Sequence, residues 1–136
     1  MEDYCEHVIY EKNPEVGGTW YENQYPGVAC DVPAHIYAFT WAPNPSESYW
    51  LTVIFMLTLL LILAWSQYYA KGPEIRQYIQ KVAKAYNLEK NIVFNAKVLN
   101  AAWIEEEGKW EIEVNVNGHI KRDKADVVIN ASGILK

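Results

Sequence analysis

The residues best placed to do chemistry are a glutamate and two adjacent glycines near the start of the chain. His7-Val-Ile-Tyr-Glu11 is a short β-branched and aromatic run ending in an acid, and Lys12-Asn13-Pro14 turns the chain after it. Gly17-Gly18 follows in the next loop. In a doubly wound sheet the acid closing the second strand accepts hydrogen bonds from a ribose diol, and neighbouring glycines let backbone approach the cofactor. Alone this is a weak signal, because any strand can end in a polar residue. Ala131-Ser132-Gly133, at the end of an apolar run that starts at Ala125, fits the same chemistry, since small residues permit close approach to a pyrophosphate. It too is weak alone. His35 could carry a proton, but a loop or core histidine is the plainer reading.

The elements that must position these residues can be read from breakers and periodicity. Residues 13–35 hold Pro14, Gly17, Gly18, Pro26, Gly27 and Pro33, too many breakers for regular structure, and a long loop so rich in aromatics is usually functional. Gly72-Pro73 opens a helix on which Ile75, Tyr78, Ile79, Val82 and Tyr86 fall at helical spacing, with Glu74 near its positive end and a stop around Asn87. The period then changes to two. Ile92–Phe94 is a short strand, and 98–106, 109–117 and 119–122 form an antiparallel meander. Its turns are Glu107-Gly108 and Asn117-Gly118, the second a strong two-residue hairpin signal. Trp110, Ile112, Val114 and Val116 alternate with Glu111, Glu113 and Asn115, so one face is buried and one is wet. Ala125–Gly133 reads as a last, parallel strand.

Composition narrows the function classes. At 136 residues the chain has room for one domain, with six Trp and ten Tyr to build large flat surfaces. A net charge of −5 and the lack of a clustered basic patch argue against a nucleic-acid partner. Cys5 and Cys30 stand in unlike contexts and suggest neither a disulfide framework nor a zinc site, which favours a reducing compartment. The acidic opening, Met-Glu-Asp-Tyr-Cys-Glu-His, is neither a secretory signal nor a transit peptide.

Read as a string, YEKNPEVGGTWYENQYPGVACDVPAHIYAF closely resembles the flavin-binding stretch of the flavin-containing and Baeyer–Villiger monooxygenases. The family pattern of glutamate, turn, GGTW, Asn, YPG, a small residue, CD and Tyr is present in order. The resemblance resumes at WSQYYAKGPEIRQYIQKVAKAYNL and continues through NIVFNAKVLNAAW and ADVVINASG. It implies FAD and NADP as cofactors, with a small organic substrate and O₂ as reactants. By position, Glu11 would hold the adenosine ribose of FAD, and Gly17, Gly18, Thr19 and Trp20 would line the flavin with Asn23 nearby. Asp31 would lie near the isoalloxazine and help organise the catalytic region, with Val32 and Tyr37 also against the flavin. Ala29 and Cys30 would approach NADP, Cys30 as a small buried residue rather than a nucleophile, and Val98 would contact the adenine. Trp20, Tyr25 and Tyr37 could equally be packing aromatics of a rigid loop.

The fold class expected is therefore α/β: part of an FAD-binding Rossmann-like domain, with an inserted helix and β-meander. The expected segments are 1–46, carrying the second strand and the GGTW loop, an apolar insertion at 47–64, and 65–136. The resemblance also implies that a G-x-G-x-x-G phosphate loop, an NADP domain and an F-x-G-x-x-x-H motif belong to the whole enzyme and are not in this sequence. A fragment inactive by itself is the resulting expectation. Within the same enzyme class an N-hydroxylating or S-oxidising relative is the alternative, because GGTW is shared broadly.

One stretch breaks the pattern. Residues 48–70 carry no charge, and 51–64 are almost wholly apolar. A membrane span flanked by Trp50 and Trp65, a buried helix or strand pair, and a segment that is no designed element all remain open. The first makes a single-pass membrane protein with a small binding module, against the cytoplasmic location otherwise expected. The family reads P-N-P, one residue, W-S, whereas here nineteen residues separate Pro45 from Trp65. Suitable codons for Ser46-Glu47-Ser48 and Leu63-Ala64 would form a splice donor and acceptor, and removing eighteen codons would keep the frame. The reading taken here is an intron retained in a fungal message. As protein, residues 49–68 would be expected to form one helix, since Leu, Met and Ala favour it.

Overall fold

The structure, a computed structural model, describes residues 6–42, 44 and 65–133. The chain divides into two compact units, Met1–Val16 with Asn87–Lys136, and Gly17–Tyr86. The expected segments 1–46 and 65–136 each contribute to both units.

In the first unit, β1 (Ile9–Tyr10) pairs in parallel with β2 (Ile92–Val93), Ile9 opposite Ile92 and Tyr10 opposite Val93. The Glu11 N–H continues the pairing to the Val93 carbonyl at 3.0 Å, and the Ala96 N–H returns to the Glu11 carbonyl at 2.9 Å. Both strands are shorter than the runs His7–Glu11 and Ile92–Phe94 suggest. The meander is the larger sheet, ordered β3 (Ala96–Ile104), β4 (Lys109–Val116), β5 (His119–Ala125). Asn117 and Gly118 have φ of 50° and 88°, the two positive values that a type I′ hairpin needs, so Val116 lies opposite His119. Along β4 the predicted alternation holds: Ile112 and Val114 are buried, and Glu111, Glu113 and Asn115 are half-exposed. Ala96, Ile112 and Val114 form the centre of this core, with Tyr10, Val93, Trp110, Val116 and Ala125 packed on it.

Two expectations fail here. Beta-strand β5 runs to Ala125, three residues past the expected end, because its pairing with β4 continues until Ala125 meets Trp110. The predicted terminal strand from Ala125 does not form: residues 126–133 have no regular structure, and Val127 and Ile129 are 73% and 86% exposed. A strand needs a neighbour to satisfy its amides, and no described strand pairs with this run.

In the second unit, α1 (Thr19–Glu22) is a single turn inside the stretch expected to be irregular, and a 3₁₀ turn spans Ala34–Tyr37. The 14-residue α2 (Gly72–Ala85) begins where Gly72-Pro73 predicts and buries Ile75, Tyr78, Val82 and Ala83 on one face. Residues 65–72 run antiparallel to residues 28–34. The Cys30 N–H reaches the Ala70 carbonyl at 3.0 Å, the Ala34 N–H reaches Tyr68 at 2.8 Å, and Gly72 reaches back to Val28 at 2.9 Å. Cys30, Ala34, Ala42, Trp65, Ala70, Ile75, Tyr78 and Val82 make one core. Trp65–Tyr69 are bends rather than the end of a helix, which corrects the expected helix over its last four residues. The rest of that expectation, with the apolar run and the intron boundaries, lies outside the described residues. No helix among the described residues is long and apolar enough to cross a membrane.

Candidate cofactor-binding site

The residues expected to meet a cofactor fall in both units, and each group has its own geometry. In the first unit Glu11 stands just past β1, half-buried. One carboxylate oxygen accepts the Asn13 N–H at 2.8 Å, which fixes the side chain in the turn. A carboxylate has several acceptor positions and can take a hydroxyl as well, the chemistry a ribose diol requires. Val98 is 43% exposed on β3, next to a register shift between Val98 and Asn100. Such a bulge re-aims side chains at the edge of a sheet.

In the second unit Gly17 and Gly18 have φ of 145° and 49°. Gly18 caps α1 with ψ −122°, a backbone conformation that a Cβ would oppose. The two glycines therefore let the chain turn straight into Thr19 and Trp20. The Trp20 ring meets Tyr37 edge-on, centroids 5.3 Å apart, and both pack on the core at partial exposure. Burial pushes the Tyr37 phenol up from its ordinary value, and the negative charge of Asp31 adds to that shift. Asp31 is exposed. Val32 is half-buried beside it, and Cys30 is a free thiol, 5% exposed. Ala29 is exposed at the antiparallel bridge with Lys71.

Asn23 has a local role: its backbone N–H and its Nδ2 both donate to the Thr19 carbonyl at 3.0 Å, closing α1. His35 lies against Tyr68, ring centroids 6.5 Å apart, as a loop histidine would. An open cleft of about 1060 Å³ runs beside α2 and is lined by Trp20, Asn23, Tyr25, Lys71, Arg76 and Gln77 among others. Of the expected set only Trp20 and Asn23 line it.

Sequence reasoning missed the supports of this loop. The Arg76 guanidinium lies 4.7 Å from the centre of the Tyr21 ring. The Glu74 carboxylate accepts the Ser66 N–H and Oγ at 2.7 and 2.6 Å. The Tyr78 Oη accepts the Phe39 N–H at 2.8 Å and donates to the Ala42 carbonyl at 2.5 Å. On a helical wheel these residues read only as polar and apolar faces, and no local signal ties them to residues 17–42.

A parallel strand pair closed by an acid, then a glycine turn into an aromatic loop, define a Rossmann-like α/β fold. The family model described as an NAD(P)-binding Rossmann-like domain matches residues 2–50. An FAD-binding monooxygenase of Aspergillus terreus, tazF, is 41% identical over 98% of this chain. A Baeyer–Villiger monooxygenase of Streptomyces coelicolor is 37% identical over 98%. Among solved structures, the cyclohexanone monooxygenase of Rhodococcus sp. Phi1 bound to NADP+ superposes with a TM-score of 0.74 over 94% of the chain at 30% identity. The chain spans 20–22% of the length of these three proteins. Its homologues are the FAD-binding and Baeyer–Villiger monooxygenases, and it corresponds to one segment of them.

Proposed function

We propose that this chain supplies part of the FAD and NADP site of a monooxygenase that transfers one oxygen atom from O₂ to a ketone or heteroatom substrate. The observation that carries the proposal is the turn at Gly17-Gly18, which delivers Trp20 to an edge-on contact with Tyr37 beside Asp31. The likeness to FAD-binding relatives supports it. When bound, FAD would take electrons from NADPH and react with O₂. The chain's own residues do the holding. Glu11 accepts the adenosine ribose hydroxyls, and Val98 gives the adenine an apolar contact. Gly17, Gly18 and Thr19 offer backbone against the flavin, with Trp20, Val32 and Tyr37 as its walls and Asn23 keeping α1 closed. Asp31 would bring its carboxyl group near the ring system and is the residue we assign a catalytic role. Ala29 and Cys30, small side chains on one stretch, leave room for NADP. A cytoplasmic location accompanies this reading.

The test is equilibrium titration of the purified chain with FAD and, separately, with AMP as a probe of the ribose contact alone. Saturable binding of both is expected. Glu11→Ala should weaken each by roughly 10- to 150-fold, since a hydrogen bond to a charged group is worth about 1.5–3 kcal/mol. Trp20→Ala should weaken FAD and leave AMP unchanged. Absence of any FAD binding by a chain that is folded by circular dichroism would overturn the proposal.

A further inference from the structure

Gly72 opens α2, is buried, and donates its N–H to the Val28 carbonyl at 2.9 Å. Its φ is outside the left-handed region, so its backbone does not call for glycine. Space does. A Cβ at this position would stand 2.9 Å from Val28 Cγ1 and 3.3 Å from Trp20 Cε3. The first distance is closer than real contacts allow, and the second presses on a rigid ring. Val28 is itself 7% exposed, and the Trp20 ring meets Tyr37 edge-on, centroids 5.3 Å apart. A glycine in a helix lowers its stability relative to alanine, so this residue is explained by what it lets approach.

We propose that Gly72 is a positioning residue: its missing side chain lets Trp20 seat against the first turn of α2, and so sets where the Trp20–Tyr37 corner stands. The inference rests on the reading of Trp20 and Tyr37 as cofactor walls. Gly72 touches no cofactor in this account and acts only through Trp20.

The experiment compares the full chain with Gly72→Ala, Val28→Ala and the double variant, each measured for urea midpoint, FAD affinity and near-ultraviolet circular dichroism. Val28→Ala removes the 2.9 Å contact and leaves the 3.3 Å contact on Trp20. The double variant is therefore expected to recover the urea midpoint lost in Gly72→Ala while its FAD affinity stays reduced, by up to about tenfold for a displaced aromatic contact. The dichroism change caused by Gly72→Ala should vanish when it is made in a Trp20→Phe background. Unchanged FAD affinity in Gly72→Ala, or recovery of affinity together with stability in the double variant, overturns the proposal. If the unmodified chain binds no FAD, the cofactor reading fails and the dichroism decides. A Trp20-dependent change then upholds the placement of Trp20 by Gly72, and its absence overturns it.

Discussion

At the scale of single residues, the pairing of Tyr10 with Asp123 makes the clearest prediction. The Tyr10 hydroxyl donates to the Asp123 carboxylate, joining β1 to β5. Burial first, then that hydrogen bond and the charge of Asp123, raise the phenol to about 12. The Tyr10 hydrogen bond holds the Asp123 carboxyl below its ordinary value, despite an opposing effect of burial. The signs differ in direction. The Asp123 contribution is full above the ordinary carboxylate range and is lost as pH falls through the depressed folded value. The Tyr10 contribution is full below pH 10 and is lost as pH rises from there through about 12. Tyr10→Phe should cost about 1–2 kcal/mol near neutrality, discounted for the partial exposure of both groups. It should also flatten the alkaline limb, which urea titrations at pH 7, 10 and 11.5 would measure. An equal loss at all three pH values would contradict this account. Surface pairs such as Arg122 with Glu113, at 3.6 Å, should contribute almost nothing by the same measurement.

At the scale of elements, each unit hangs on one well-buried side chain. Ile75 of α2 and Val114 of β4 are both 0% exposed. Ile75→Ala should destabilise the Gly17–Tyr86 unit by roughly 2–5 kcal/mol, the range for a large-to-small change in a core. Native-state hydrogen exchange should find the loss in the amides of α2, with those of β3–β5 keeping their protection. The hairpin between β4 and β5 depends on backbone chemistry instead. Gly118→Ala, at φ 88° with open space around it, should cost about 1 kcal/mol through conformation alone. A much larger thermal shift would mean that the site is crowded. The sequence made these elements legible because their signals are local: Asn117-Gly118 for the turn, alternation for β4, Gly72-Pro73 for the helix start. The strand predicted from Ala125 failed for the opposite reason, since apolar character marks a strand only where a partner exists to receive its hydrogen bonds.

At the scale of the whole molecule, the apolar stretch between Pro45 and Trp65 is the main question. Both of its flanks return to one residue. The Ala42 carbonyl accepts the Tyr78 hydroxyl, and the Trp65 ring meets the Tyr78 ring edge-on at 5.4 Å. Ala42 and Trp65 are 6% and 5% exposed in the same core. Deleting residues 46–63 leaves three residues and Ala64 to rejoin these points, a reach of roughly 13–18 Å at about 3.3–3.6 Å per residue, more than the span of a tyrosine side chain. The deletion is expected to keep the thermal midpoint within about 2 °C if the two flanks are held by Tyr78 alone, and to raise solubility by removing an almost wholly apolar run. Loss of the folded Gly17–Tyr86 unit would show that the stretch belongs to the fold. Sequencing the transcript across codons 45–65 tests the retained-intron reading directly.

Residue order alone determined the family likeness through GGTW, CD and Tyr37, the helix from Gly72 and the turns of the meander, because each depends on neighbours a few positions away. It also nominated Glu11 by chemical type and place at a strand end, and Asp31 through the family resemblance alone. Tertiary structure decided that Asn23 closes α1, that Ile129 has no strand partner among the described residues, and that Gly72 lies against Trp20. Those facts depend on which distant surfaces meet, and a glycine chosen for a neighbour's ring is written like any other glycine.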